Sequence, residues 1–343
     1  MSNEDTNPDP VETAWTITDP VVRLRQLGSE RVFELAASAR WVLGAAPECS
    51  IQIDDPSGRV SRRHAALWRT ADAWRAKDLG STNGTRHNRE ARGWFQIVPG
   101  DEIELGGVTL MAESRRSAEL RELLCRLLGW SAARADDVDR AFGAVREMAN
   151  LRAVLILRGE GALHGVARRL HHVTLRGRPF AVLGANQSGL EALQRAGDGM
   201  LCVDARALPH DVTHMVAGLL LPSTRVRLVV CSETGEDAAE VVTLLPRVAT
   251  ISIPPVAERA HELDRLLAAY GSDAMAELRA RSLGFRRADL ELVRAWVGTL
   301  DEIETFARRL VALRNWGIAG GARRLGINHG ALSRWAHRRQ LAT

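Results

Sequence analysis

The chain has 343 residues, room for two or three domains that each bury their own core. Hydrophobic residues make up 45% and charged residues 26%, a soluble globular balance. The longest apolar run, 216–221, stops at Pro222 and is far too short to span a membrane.

The four cysteines, Cys49, Cys125, Cys202 and Cys231, are widely spaced, which points away from both a disulfide framework and a zinc site. Buried thiols in a reducing compartment are expected instead. His210 and His214 stand four apart with no third ligand nearby, so no metal or other cofactor is expected. The net charge is +4, and the cations are arginines except for Lys77, as codon usage in a high-GC bacterial genome would produce.

The first residues are acidic and proline-rich, unlike a signal peptide. A disordered tail over 1–14 and a cytoplasmic location are the expectation. Two polar loops follow further on: Ser61-Arg62-Arg63-His64, and Gly80-Ser81-Thr82-Asn83-Gly84-Thr85. They flank two strand-like runs, 65–69 and 73–79. Hydroxyls, a carboxamide, backbone N–H groups and guanidiniums thus gather at one end of a sheet, as a phosphate oxygen requires.

With Gly44 upstream and Pro99-Gly100-Asp101-Glu102-Ile103 downstream, residues 21–113 resemble the forkhead-associated (FHA) domain. That family is a β-sandwich whose loops read phosphothreonine peptides. The resemblance implies that Ser61, Arg62 and Thr82 face the phosphate and Asn83 the peptide backbone. Gly44, His64 and Gly84 would be structural, His64 bracing the loops from inside. The sequence departs from the family where a Gly-Arg pair opens the first loop, for here it reads Gly44-Ala45. A charge-assisted hydrogen bond contributes about 1.5–3 kcal/mol, so its loss weakens binding by about one to two orders of magnitude. Phosphothreonine binding and a sandwich without phosphate dependence both stay open.

In the middle of the chain, 151–157 reads as an apolar strand, followed by Gly159-Glu160 and a helix from Val166. Residues 199–204 form a second buried strand ending in Asp204, and 227–231 a third. A further helix begins in the stretch 251–259. Order and content resemble the AAA+ ATPase domain of sigma-54-dependent activators over about 118–313.

The residues that would do chemistry are absent. A phosphate-cradling loop needs a lysine to neutralise the β- and γ-phosphates. The loop here, Gly161-Ala162-Leu163-His164-Gly165, has none. Asp204-Ala205 replaces the family's Asp-Glu, Ser232-Glu233 replaces a sensor asparagine, and Asp301 stands where the lid carries an arginine. The sigma-54-gripping loop is missing from 180–196. The resemblance therefore implies a scaffold that neither hydrolyses ATP nor contacts sigma-54, with residual nucleotide binding left open.

After Glu304 no acidic residue occurs, while Arg308, Arg309, Arg314, Arg323, Arg324, Arg334, Arg338 and Arg339 do. That asymmetry is an electrostatic footprint for DNA. Ala322, Leu325, Ile327, Leu332, Trp335 and Leu341 can line one core, and Gly326 supplies a turn with φ > 0. The run Gly326-Ile327-Asn328-His329-Gly330-Ala331-Leu332 resembles a Fis-type helix-turn-helix.

By that resemblance the second helix spans 329–340 and enters the major groove of double-stranded DNA. Asn328, His329, Ser333 and Arg334 become contact candidates, with Arg338 and Arg339 toward the phosphate backbone. A homodimer through 306–316 is implied. A charged helix that merely closes the preceding domain is the alternative.

The sequence thus predicts a multidomain protein: a tail (1–14), an all-β FHA sandwich (15–115), a degenerate α/β AAA+ core (116–275), a helical lid (276–313) and an all-α helix-turn-helix (314–343). Its function reads as a transcription regulator, not an enzyme, that joins a phosphothreonine-containing protein to DNA. The rivals are an FHA adaptor without operator recognition and an active enhancer-binding ATPase.

Overall fold

The computed structural model describes residues 19–341 except 30, 37–39, 71, 72, 152, 185, 186, 210, 222, 235, 237, 246 and 297. The expected tail, His210 and Pro222 lie outside the described residues. The chain divides into two compact units. The first holds residues up to 123 with 131–153 and 170–177; the second holds 124–130, 154–169 and 178–343.

The first unit opens with eleven strands: β1 Val21–Gln26, β2 Val32–Glu34, β3 Trp41–Gly44, β4 Ile51–Gln52, β5 Ala65–Arg69, β6 Trp74–Asp78, β7 Thr85–His87, β8 Glu90–Ala91, β9 Trp94–Ile97, β10 Glu102–Leu105 and β11 Val108–Ser114. They form two sheets, ordered β2-β1-β11-β10-β7-β8 and β4-β3-β5-β6-β9. Period-two alternation turns Trp74 and Ala76 inward and Arg75 and Lys77 outward. Leu24, Leu43, Leu67, Ile103, Leu105 and Leu110 fill the space between the sheets without solvent exposure. Trp74 buries its ring there and donates its indole N–H to the Val21 carbonyl at 2.9 Å.

Helices α1 Arg115–Leu128 and α2 Ala135–Leu151 follow. Within the first unit both fasten to the outer face of β1 and β11 through charge. Fully buried Glu113 accepts from Arg23 at 2.8 Å and from Arg25 and Arg121, each at 3.0 Å. Arg121 reaches on to Asp139 of α2 at 2.6 Å. Burial, with the neighbouring Arg121, pulls the Arg25 pKa down.

The second unit carries β12 Val154–Arg158, β13 Phe180–Val182, α4 Gly189–Ala196, β14 Met200–Asp204, α5 Val212–Leu220, β15 Arg227–Ser232, α6 Ala239–Thr243 and β16 Val248–Ser252. Helix α3, His164–Thr174, follows β12. The five strands pair in parallel in the order β13-β14-β15-β12-β16. Three of the five, β12, β14 and β15, were legible as apolar runs, while the three-residue β13 was not read as a strand. Strand β16 was not: residues 251 and 252, expected to begin a helix, end this edge strand, and a helical turn starts only at Val256. The first strand starts at Val154 and not 151, because Leu151 completes α2.

The remaining helices are α7 Leu263–Leu278, α8 Arg287–Trp296, α9 Leu300–Leu325 and α10 His329–Arg338. A capping box of Thr299 and Glu302 starts α9. Gly317, at φ +64 and ψ −171, breaks α9 into two helical pieces. Gly326 ends the second piece at φ +66, as its place in the turn requires. Ala322, Leu332, Trp335 and Leu341 are buried as the sequence suggested, while Leu325 and Ile327 are half-buried. No helix among the described residues is long and apolar enough to cross a membrane.

Candidate functional site

Two loops at one end of the sandwich meet because Gly44 lets them. A Cβ at Gly44 would lie 2.2 Å from the Arg62 carbonyl oxygen and 2.9 Å from that of Ser61. The close approach is held by Ala45 N–H to Ser61 O at 3.0 Å and Ala46 N–H to Arg62 O at 3.1 Å. His64, fully buried, accepts the Ser61 N–H on Nδ1 at 3.1 Å. Its Nε2 then carries the proton and donates to the Gly84 carbonyl at 3.0 Å. One neutral imidazole thus ties the first loop to the second, the bracing role expected of it.

The second loop is shaped by Asp78, which the sequence reading passed over. Its Oδ1 accepts from the N–H groups of Gly80 and Ser81 at 2.8 and 2.9 Å. Its Oδ2 accepts from the hydroxyls of Ser81 and Thr85 at 2.6 and 2.7 Å. Burial pushes the Asp78 pKa up, but these hydrogen bonds outweigh it and leave it lowered. Asp55 does the same upstream, accepting the N–H groups of Arg59 and Val60. Its pKa is lowered, chiefly by the Ser57 hydroxyl. An Asp two residues before a Gly-Ser or Ser-Gly step is the available signal for such turns. Cys49 adds a brace, its thiol 3.1 Å from the Arg62 carbonyl and its pKa raised by burial.

On this frame the proposed contact residues converge. Ser61 Oγ accepts the Thr82 N–H at 3.0 Å and lies 3.4 Å from the Thr82 hydroxyl. Asn83 donates to the Arg59 carbonyl at 2.8 Å, so in the free protein its carboxamide closes the loops on each other. The Arg62 and Arg63 guanidiniums are exposed and have no ion-pair partner among the described residues. Ala45 is partly buried against the core and offers no polar group. Hydroxyls, a free guanidinium and loop N–H groups together make a surface suited to a tetrahedral anion.

A second concavity lies in the α/β unit. The chain runs from β12 to the far edge at β13, returns through β14 and β15, and crosses to β16 on the other side. The crevice outside the C-terminal strand ends is where such sheets take ligands. A cleft of about 320 Å³ sits there, lined by Gly161, Leu163, His164, Asp204, Arg206 and Glu233 among others. Arg206 fills its polar side, pairing with Asp204 at 3.1 Å and Glu233 at 2.9 Å. A Cβ on Gly161 would lie 2.2 Å from the Asp301 carboxylate and 3.0 Å from Thr299. A carboxylate therefore rests on the glycine loop where a phosphate would need cations.

Cys202 and Cys231, distant in sequence, meet at the floor of this cleft with sulfurs 3.6 Å apart. Their mutual hydrogen bond and burial push the Cys231 thiol pKa far up. All four cysteines are free. Cys49, Cys202 and Cys231 are buried as expected, while Cys125 is half-buried.

At the C-terminal helices, Asn328 accepts the Gly330 N–H at 2.8 Å and caps α10, a structural task the sequence reading did not assign it. His329, Arg334 and Arg338 are exposed, and Ser333 is half-buried. The Arg334 guanidinium lies back along the helix beside Gly330. Arg339 is half-buried over the Trp335 ring at 5.2 Å, and burial with Arg338 and Arg309 nearby lowers its pKa. The 306–316 face expected to join two copies is largely used inside the single chain. Phe306, Leu310, Val311, Ala312 and Leu313 are buried, and Phe306 meets Trp335 edge-on at 5.5 Å.

Comparison with known proteins bears on the sandwich alone. Residues 41–106 match the family model of the FHA domain. The oxoglutarate dehydrogenase inhibitor of Corynebacterium jeikeium is 41% identical over 68 residues, covering 20% of this chain and 46% of that protein. The inhibitor of the same name from Corynebacterium glutamicum is 39% identical over 82 residues, 22% of this chain and 56% of that protein. The chain thus spans about half the length of the curated relatives it matches. Mycobacterium tuberculosis EmbR, solved with a low-affinity phosphopeptide, is 28% identical over 28% of this chain and 24% of its own, at a TM-score of 0.25. The β-sandwich at the head of this chain is an FHA domain.

Proposed function

We propose that this chain is a transcription regulator whose FHA loops capture a phosphothreonine-containing protein and whose C-terminal helices bind double-stranded DNA. The observation that carries the first half is the pairing of Ser61 and Thr82 across two loops, beside the unpaired Arg62 guanidinium. Ser61, Arg62 and Thr82 take the phosphate. Asn83 exchanges its bond to the Arg59 carbonyl for the peptide backbone. Gly44, His64 and Gly84 hold the loops in register.

The second half is supported by the Gly326 turn, the capped α10 and the exposed His329, Arg334 and Arg338. This arrangement has the short helix, glycine turn and basic second helix of a helix-turn-helix. Two copies acting on paired half-sites fit such a module. Their contact face would lie outside the buried part of 306–316.

Between the two modules we read a degenerate AAA+ scaffold without ATP turnover. Its support is the parallel sheet with a cleft at the strand ends, the absent lysine, and Asp301 on the glycine loop. Arg206 adds to it by neutralising the carboxylates that a magnesium ion would need.

A second reading is favoured by the curated relatives, which match this chain in its FHA portion and are named for inhibiting oxoglutarate dehydrogenase. On that reading the chain is an FHA adaptor that inhibits or recruits a partner enzyme without operator recognition. Capture of fragmented genomic DNA on the purified full chain, followed by sequencing, separates the two. Enrichment of discrete loci supports the regulator; recovery no different from beads alone supports the adaptor.

A further inference from the structure

The two outer faces of the FHA sandwich differ. One, carrying Arg25 and Glu113, is engaged by α1 and α2 through buried ion pairs. The other is the outward face of β3, β5, β6 and β9. Its side chains are Trp68, Arg75, Lys77, Trp94 and Gln96, with Arg40 at the margin. Asp78 is the single carboxylate in the five strands of this sheet, and strand alternation sets it on the side of Trp74 and Ala76, away from Arg75 and Lys77. Lys77 is the only lysine of the chain. Among the described strand residues the charges on this face are therefore all cationic, whatever the codon bias behind its arginines.

The cations alternate with indoles. Arg40 lies over Trp68 at 5.7 Å and Arg75 over Trp94 at 5.1 Å. The strand register sets Trp68 opposite Arg75 and Lys77 opposite Trp94. Stacking fixes each planar guanidinium in advance, which lowers the entropy lost when its N–H fork meets a carboxylate. Arg75 Nε is shielded from solvent and has no hydrogen-bond partner. Trp94 is 51% exposed, a large apolar surface left open beside these charges. Trp and Arg are the residues most enriched among binding hot spots.

We infer that this tryptophan–arginine face docks an acidic segment of a partner protein, without phosphate and apart from the phosphothreonine loops. Charge complementarity names the occupant as carboxylate-rich. The stacked guanidiniums favour protein over single-stranded nucleic acid. They already occupy the indoles on which bases would stack, and their forks fit carboxylates bidentately. The inference goes beyond the proposed function and stands on other residues.

The test is fluorescence anisotropy of the full chain with a labelled, unphosphorylated peptide of alternating Glu, Asp and Ala. The double variant Arg75→Glu, Lys77→Glu should weaken binding by about tenfold or more, and Trp94→Ala comparably. The double variant Arg225→Glu, Arg281→Glu, which makes the same change of charge at exposed positions of the second unit, should leave it nearly unchanged. Thermal melts check that the surface variants remain folded. Ser61→Ala should leave the acidic peptide bound, whether or not it abolishes phosphothreonine binding, so failure of one site is told from failure of the other. Equal binding by the double variant overturns the inference. So does a charge-matched oligothymidine that binds more tightly than the peptide and is lost in the same variants, since the occupant would then be nucleic acid.

Discussion

At the scale of the residue, the recognition loops depend on one glycine and two carboxylates more than on any ligand-facing group. Gly44 has an ordinary φ, so its role is space: the Ser61 and Arg62 carbonyls stand where a Cβ would be. Gly44→Ala should destabilise the first unit by about 1–3 kcal/mol, the usual range for overpacking, as the bonds of the Ala45 and Ala46 N–H groups to Ser61 and Arg62 are pried apart. Thermal melting of the variant against the parent checks this. A melt within a degree of the parent would show that the loops tolerate separation. Asp78 works differently, by taking up four donors of the second loop and leaving the Thr82 N–H for Ser61.

Element by element, the strands and helices that alternate cleanly were legible in the sequence, and those under tertiary control were not. Strand β5, buried over residues 65–67, was read at its observed bounds, and β6, whose Trp74 and Ala76 turn inward with period two, within one residue at each end. Strand β16 escaped because an edge position does not demand an apolar run. The binding loops were legible through residue types that few other purposes bring together. Cys49 was not, since it acts on the Arg62 carbonyl, which only folding brings near. Asp55 was passed over although its partners, Ser57, Arg59 and Val60, are its neighbours in the chain.

Helix α10 carries its own prediction. On the proposed DNA-binding reading, Arg334, mid-way along α10, stands nearer the groove, and Arg338 is one turn farther along. Arg334→Ala should reduce specific binding more than non-specific binding. Arg338→Ala should weaken both alike and flatten the salt dependence by about one counterion. Footprinting at low and moderate salt distinguishes them. Identical profiles for the two variants would remove the assignment of roles.

For the whole molecule, the proposed function assigns recognition to the two ends and no ATP turnover to the middle. A nucleoside triphosphate entering the α/β cleft would meet the Asp301 carboxylate at the glycine loop, and no lysine to offset it. The purified protein should release no phosphate from ATP above a buffer blank. Hydrolysis that co-purifies with the chain and vanishes in Asp204→Ala would restore an enzyme reading. Binding without turnover would leave the scaffold reading intact.

The central claim of the account is that the FHA loops read phosphothreonine despite Ala45. The direct measurement is titration of paired phosphothreonine and threonine peptides into the full chain, its Ser61→Ala variant and its Ala45→Arg variant. The parent should prefer the phosphorylated member. Ser61→Ala should lose that preference, and Ala45→Arg should strengthen it by about tenfold or more by restoring a bidentate donor to the phosphate site. A parent that binds both peptides equally, with Ser61→Ala and Ala45→Arg unchanged from it, would contradict the account.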